Sequence, residues 1–273
     1  MSTDRIHPTL TSLASRTPTR IETADVVVVG ARCAGAATAM LLARAGRDVL
    51  VVDRGTFPSD TISTHALARG GVVQLERWGL LDRLVATGAP RLRRVEFHAG
   101  GDPIVRYVKD RYGVDFLVAP RRHVLDPLLQ AAAVEDGARL RTGVTVSGVV
   151  HDDAGRVVGV RAGDDAGPLE IRARHVVGAD GLKSRIARSV GAEIVEHHDS
   201  HSSAHYRYFR GSWPAMEYHL GGPGFAGVFP THHGEACVWV CAPDDVATLQ
   251  DTIAEPTWTI GELVPGTGRV HLR

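Results

Sequence analysis

The stretch DVVVVGARCAGAATAMLLARAGRDVLVVD, residues 25–53, decides the fold. DVVVVG (25–30) is a β-branched apolar run that ends in glycine, which predicts a buried strand. GAATAMLLARAG (35–46) is rich in alanine and leucine and closes on Gly46, the residue a helix C-terminus favours. DVLVVD (48–53) predicts a second buried strand. Strand, helix and strand together predict a βαβ unit, hence a parallel sheet with a right-handed crossover.

The first junction, Gly30-Ala31-Arg32-Cys33-Ala34-Gly35, has glycine at the first and sixth positions of the dinucleotide-binding fingerprint. Gly30 permits a tight turn and Gly35 lets the helix pack close to the strand. The third position, normally glycine so that a pyrophosphate can approach the backbone, is Arg32, whose guanidinium can itself bind phosphate. The turn also offers the amides of Cys33 and Ala34 at a helix N-terminus. Asp53 follows Gly30 by 23 residues, where an acid accepts from adenosine ribose hydroxyls, and Arg54 stands beside it. The alternative is a βαβ unit whose glycines serve packing alone. Cys33 reads as a small side chain in a crowded turn.

Working outward, residues 66–87 predict helix broken near Gly79, and 92–118 predict three short strands, RVEFHAG, PIVRYV and VDFLVA. Arg122 to Asp136 predicts a helix, with Pro127 placed in its first turn. Strands follow at 144–150, 156–162 and 169–173, with DDAG (152–155) as a hairpin turn. HVVGAD (175–180) predicts one more buried strand, and SRIARSVG (184–191) a short helix. From Glu193 onward short strands, aromatics and histidines dominate.

The expected organisation has three parts. Residues 1–23 form a flexible leader, 24–90 and 119–192 a Rossmann-like α/β nucleotide-binding domain with a parallel sheet and β-meander, and 91–118 and 193–273 a β-rich region. Lys+Arg and Asp+Glu are both 31 in the 273 residues, so no overall basic field recommends a nucleic-acid partner. No apolar run reaches membrane-spanning length. Cysteines at only 33, 237 and 241 cannot staple a domain this size, so a reducing, cytoplasmic compartment is expected.

VVGADGLKSRIAR (176–188) places Asp180 and Gly181 in a sharp strand-to-helix turn, which alone reads as a helix-capping aspartate. Combined with the first loop, it resembles the FAD-dependent monooxygenases of the p-hydroxybenzoate hydroxylase type and their geranylgeranyl-reductase-like relatives. Gly30, Gly35 and Asp53 match the family's first motif, and Asp180, Gly181 and Ser184 its second. Arg32 departs from the first motif. In the second, Ala187 stands where the family has arginine, with Arg185 and Arg188 on either side. Arg122-His-Val-Leu125-Asp126 is similar to the family's Arg-x-x-Leu-Asp helix start, whose arginine lies against the flavin's ribityl–phosphate chain. The alternative there is an exposed arginine.

The resemblance covers about residues 24–260. The family's third motif, a Gly-Asp pair after the β-rich region, is not found, so the chain resembles a C-terminally truncated member. It implies FAD as cofactor, NAD(P)H as reductant, and O₂ with a small aromatic or apolar molecule as substrates of a monooxygenase. Reductase or halogenase chemistry, and a catalytically impaired remnant, are the alternatives. No catalytic acid or base is assigned.

Two further groups carry open readings. Ser59-Asp60-Thr61-Ile62-Ser63-Thr64-His65 either lines the flavin, as the resemblance implies, or caps the next helix through Ser63 or Thr64. Tyr206, Tyr208, Phe209, Trp213 and Tyr218 are either sheet core or substrate pocket. His197, His198, His201, His205, His232 and His233 lack the spacing of a paired metal site, so no metal is expected there.

Overall fold

A computed structural model describes residues 18–61, 63, 65–198, 202–221, 224–243 and 262–263. Most of the expected leader lies outside them. The chain divides into two compact units, 1–55 with 136–192 and 56–135 with 193–273.

The first unit is built on a six-stranded sheet. Its strands are β1 (Arg20–Val29), β2 (Val49–Val52), β5 (Arg139–Arg141), β6 (Thr145–His151), β7 (Val157–Asp164) and β8 (Gly167–Gly178), in the order β5-β2-β1-β8-β7-β6. β5, β2, β1 and β8 run parallel, and β6, β7 and β8 form the expected antiparallel meander. Helix α1 (Cys33–Arg44) crosses between β1 and β2 and packs on both. The valine runs are buried because a parallel sheet is covered on two faces. Val27, Val29, Leu50 and Val52 join Val149, Val160, Leu169, Ile171 and Ile186 of the meander and of α5 (Arg185–Ser189) in one core.

Three sequence expectations change here. β1 begins at Arg20, because Arg20–Thr23, counted with the leader, pair with Leu169–Arg172 of β8. The strands expected at 169–173 and 175–180 are one twelve-residue strand, since β1 pairs along its whole length. Val176 and Val177, expected to be buried, are only half-buried. The hairpin turn at 152–155 forms as expected, closed by the Gly155 amide on the Asp152 carbonyl at 2.9 Å.

The second unit carries a seven-stranded sheet of β3 (Arg94–His98), β4 (Ile104–Tyr107), β9 (Ser202–Arg210), β10 (Met216–Gly221), β11 (Gly224–Pro230), β12 (Glu235–Pro243) and β13 (Glu262–Leu263). The order is β13-β9-β12-β11-β10-β3-β4, antiparallel except where β10 runs parallel to β3. Helices α2 (Arg69–Arg77), α3 (Leu81–Ala86) and α4 (Arg122–Glu135) fall within the residues of this unit. The break between α2 and α3 falls at Gly79, whose φ is +73°. VDFLVA (114–119) is not a strand; it makes only isolated bridges, Arg111 with Val114, Leu92 with Leu117 and Leu67 with Val118. Pro127 is the sixth residue of α4, past the first turn, so the helix gives up the amide that would bond the His123 carbonyl.

Candidate functional site: a dinucleotide loop and a buried polar cluster

In the first unit β1 delivers the loop. The Gly30 amide donates to the Val52 carbonyl at 2.8 Å, and the Ala179 amide to Val29 at 2.8 Å. The loop therefore sits where β1 is flanked by β2 on one side and β8 on the other. Gly30 has φ +105°, and a Cβ on it would lie 2.2 Å from the Ala179 carbonyl oxygen. A Cβ on Gly35 would lie 1.7 Å from the Gly30 carbonyl oxygen. Both glycines are sterically required, one by β8 and the other by the turn itself. Arg32 has φ −85°, an extended conformation open to any residue, so the backbone makes no demand for glycine at the third position.

Arg32 is the N-cap of α1; its side chain makes no capping hydrogen bond, and the first turn holds no acid. Cys33 and Ala34 are its first two residues. Asp53 is half-buried at the end of β2. Its two oxygens accept the Ala31 amide at 2.8 Å and the Gly55 amide at 2.7 Å. Arg54 is exposed.

The second motif lies against the first. Because β8 neighbours β1, the Ala179–Asp180 peptide faces Gly30, joining two motifs some 150 positions apart in sequence. Asp180 accepts from the Ser184 hydroxyl at 2.5 Å and from the amides of Arg185 at 2.6 Å and Ile186 at 3.2 Å. Burial raises its pKa, but the Ser184 bond and the Ile186 and Arg185 amides outweigh this and hold the carboxyl below its usual range. Ser184 in turn accepts the Ala187 amide at 2.9 Å. Asp180 thus accepts first-turn amides of α5, as a helix-capping aspartate would, but the N-cap residue itself is Ser184. Gly181 has φ +85° and open space about it.

These features fit FAD. A helix N-terminus without an acid in its first turn, two glycines without room for Cβ and an acid tied to the loop are the charge and shape requirements of a dinucleotide pyrophosphate.

Arg122 lies in the second unit. It is not an exposed arginine: it grips the fully buried Asp126 in a bidentate pair at 2.9 and 3.1 Å. Its neighbour Arg121, which sequence reasoning passed over, is the more connected residue. Arg121 binds Asp60, reaches Glu235 at 3.0 Å, and lies 3.6 Å above the Tyr208 ring. Asp60 also accepts the His123 amide and ring nitrogen, each at 3.1 Å. Burial raises the Asp60 pKa, yet Arg121 and His123 hold it lowered.

His65 is buried with φ +61° and hydrogen-bonds the Tyr208 hydroxyl. Burial pushes its pKa down to about 4, so the ring is neutral near pH 7. Burial likewise lowers His232 to about 4 and pushes the Cys237 thiol up to about 12. Ser63 does not cap α2, whose N-cap is Ala68; its hydroxyl accepts the His65 amide at 3.0 Å. Ile62, Thr64 and His201 lie outside the described residues. Tyr208, Met216, Phe229 and Cys237 form a core against which Tyr206, Tyr218 and Trp239 pack. The only sequence signals for this cluster were the polar run at 59–65 and the aromatic density after 205.

Two of the histidines crowded in sequence have separate partners in the structure. His198 pairs with Glu196 at 2.7 Å, and His232 bonds Thr87 at 2.9 Å.

A model of the FAD binding domain matches residues 23–258. The chain belongs to the FAD binding domain family. It is 31% identical over 237 residues to menaquinone reductase of Mycolicibacterium smegmatis, an alignment spanning 80% of this chain and 55% of that protein. The chain therefore spans about half the length of the curated relatives it matches. A geranylgeranyl bacteriochlorophyll reductase-like protein of Thermoplasma acidophilum shares the fold with a TM-score of 0.69 at 22% identity, over 86% of this chain and 60% of that one. p-Nitrophenol 4-monooxygenase of Pseudomonas putida shares it with a TM-score of 0.72 at 19% identity, over 85% and 61%. Among the described residues no helix is long and apolar enough to cross a membrane.

Proposed function

We propose that this FAD-binding chain serves an oxidoreductase that passes electrons from NAD(P)H to an apolar quinone- or isoprenoid-type substrate. The observation that carries the reading is the loop Gly30–Gly35 tied through Ala31 to Asp53, in a chain 31% identical to a menaquinone reductase. Gly30, the turn at Arg32–Gly35 and Asp53 would hold the ADP half of FAD, with Arg54, Asp180 and Gly181 near the same loop. Arg122 would serve the ribityl–phosphate chain. FAD when bound supplies two-electron transfer between a nicotinamide and the substrate.

The chain's own residues position, shield and hold protons. Tyr206, Tyr218 and Trp239 offer the apolar surface such a substrate requires. His65 is a neutral imidazole held by the Tyr208 hydroxyl, and Cys237 is a protonated thiol. Cys33, Cys237 and Cys241 form no disulfide, which agrees with a reducing, cytoplasmic compartment.

The second reading is oxygen transfer to a small aromatic molecule. The fold shared with p-nitrophenol 4-monooxygenase favours it.

The test loads the purified chain with FAD and reduces it with NADH or NADPH. It then supplies a water-soluble menaquinone analogue without oxygen, or a phenol with oxygen. Reoxidation by the quinone without oxygen supports the first reading, and an oxygenated phenol supports the second. Failure to take up flavin overturns both.

A further inference from the structure

Neighbouring parallel strands carry the same tripeptide pattern, glutamate-aromatic-histidine. β3 has Glu96-Phe97-His98 and β10 has Glu217-Tyr218-His219. The strands pair in register, with Glu96 opposite Glu217 and His98 opposite His219. Alternation sends the aromatics to one face, where Phe97 and Tyr218 stack at 5.3 Å. It sends two glutamates and two histidines to the other, where the His98 and His219 rings stack at 4.4 Å.

This second face carries an unresolved electrostatic load. Glu96 and Glu217 are 6% and 9% exposed, and carboxylates directly opposite on adjacent strands repel. Arg94 pairs with Glu96. No Lys or Arg in the described residues pairs with Glu217, which has His219 at 3.1 Å. The flanking positions add no cation: Val105 faces Glu96, and Val228 and Ala226 face Glu217 and His219. His98 Nε2 is buried without a hydrogen-bond partner, although the Glu96 carboxylate lies 3.2 Å away, because the two are misaligned.

We propose that His98, His219 and Glu217, with Glu96 completing the set, bind a divalent transition-metal ion of the zinc class. Imidazole and carboxylate donors are the ligand set that zinc takes. The ligand atoms of His98, Glu217 and His219 all lie within 4.8 Å of one another. Bonds of about 2.0–2.2 Å to a tetrahedral ion draw such atoms to roughly 3.3–3.6 Å, a closure that side-chain rotation supplies. One dication offsets two buried carboxylates and gives the His98 nitrogen a partner. Arg94, held on Glu96, orients that carboxylate from outside. The site is independent of the flavin reading.

The test measures zinc on the intact chain by competition with a fluorescent chelator and by elemental analysis after gel filtration. The expected result is one tightly held equivalent, with a rise in melting temperature on zinc addition. The variants His98→Gln, His219→Gln and Glu217→Gln should each weaken binding about tenfold to a hundredfold or more. The double variant His197→Gln/His198→Gln, which alters exposed histidines, should leave it unchanged. Binding should weaken as pH falls, because the imidazoles must be deprotonated. A wild-type chain that retains no zinc at micromolar concentrations overturns the proposal, whether or not the variants fold. So does zinc whose affinity depends on His197 and His198 but not on His98 and His219.

Discussion

The Asp53 carboxylate accepts the Ala31 backbone amide at 2.8 Å, so the acid ending β2 and the loop ending β1 are one hydrogen-bonded unit. The same carboxylate takes the Gly55 amide at 2.7 Å and so shapes the turn that follows it. Asp53 thus acts on the loop before any nucleotide arrives. Its remaining lone pairs are available to a ribose.

Asp53→Ala should therefore cost stability as well as ligand. Two amides lose an acceptor, so unfolding free energy should fall by about 1–3 kcal/mol without FAD. FAD affinity should fall about tenfold or more. Urea unfolding of the apoprotein and fluorescence titration with FAD separate the two effects. An unchanged apoprotein with weaker FAD binding would mean that the amide contacts carry no weight.

Gly35→Ala places a Cβ 1.7 Å from the Gly30 carbonyl oxygen, a backbone atom that cannot move without breaking the turn. A loss on the order of 3 kcal/mol or more is expected. Gly70→Ala, in α2 with nothing within 4 Å, is the control and should be neutral or slightly stabilising. Melting temperatures of the two variants should diverge widely.

Arg32→Gly tests whether the guanidinium contributes to phosphate binding. The backbone at Arg32 tolerates either residue, so the change reads the side chain rather than the turn. FAD should bind more weakly, with a flatter dependence on salt. Tighter binding in the glycine variant would make the arginine an obstruction.

His65 and His232 link the second unit to pH. Both pKa values fall from 6.5 to about 4 in the folded state, chiefly through burial. Between those values the unfolded chain binds protons that the folded chain does not, so stability falls as pH drops from about 6.5 toward 4. Each residue contributes on the order of 3 kcal/mol to that loss. Urea midpoints at pH 7 and pH 4.5 measure it, and a His232→Asn variant should show a shallower slope.

Removing Arg121 leaves Asp60 and Glu235 without their shared guanidinium and uncovers the Tyr208 ring. Arg121→Gln should cost about 2–4 kcal/mol, and a larger share of stability than Arg93→Gln, whose pair with Asp115 is exposed to solvent and salt. Parallel urea titrations of Arg121→Gln and Arg93→Gln check the contrast.

Local sequence sufficed for the βαβ core because every cue there acts within a few positions. The valine runs, the glycines at 30, 35 and 46 and the acid at 53 specify strand, turn, helix and strand by steric and solvation rules that need no distant partner. The meander, the Asp180 bonds to first-turn amides of α5 and the break at Gly79 were legible for the same reason. Other features depended on partners. VDFLVA has the composition of a strand, but its neighbours give it only isolated bridges. Arg122 carried the recognisable motif, whereas Arg121 became the centre of a network, because Asp60, Tyr208 and Glu235 reach it from distant segments.

The sequence by itself determined the strand, the tight turn from Gly30 to Gly35 and the helix that follows, since backbone conformation and helix-terminal amides are local properties. Only the tertiary structure decided that Gly30 faces Asp180 and that Glu96-Phe97-His98 lies in register with Glu217-Tyr218-His219. It also decided that His65 is buried neutral beside Tyr208 while His198 stays exposed with Glu196. Pairings between strands far apart in sequence, and the burial that follows from them, arise from long-range packing that residue spacing along the chain does not encode.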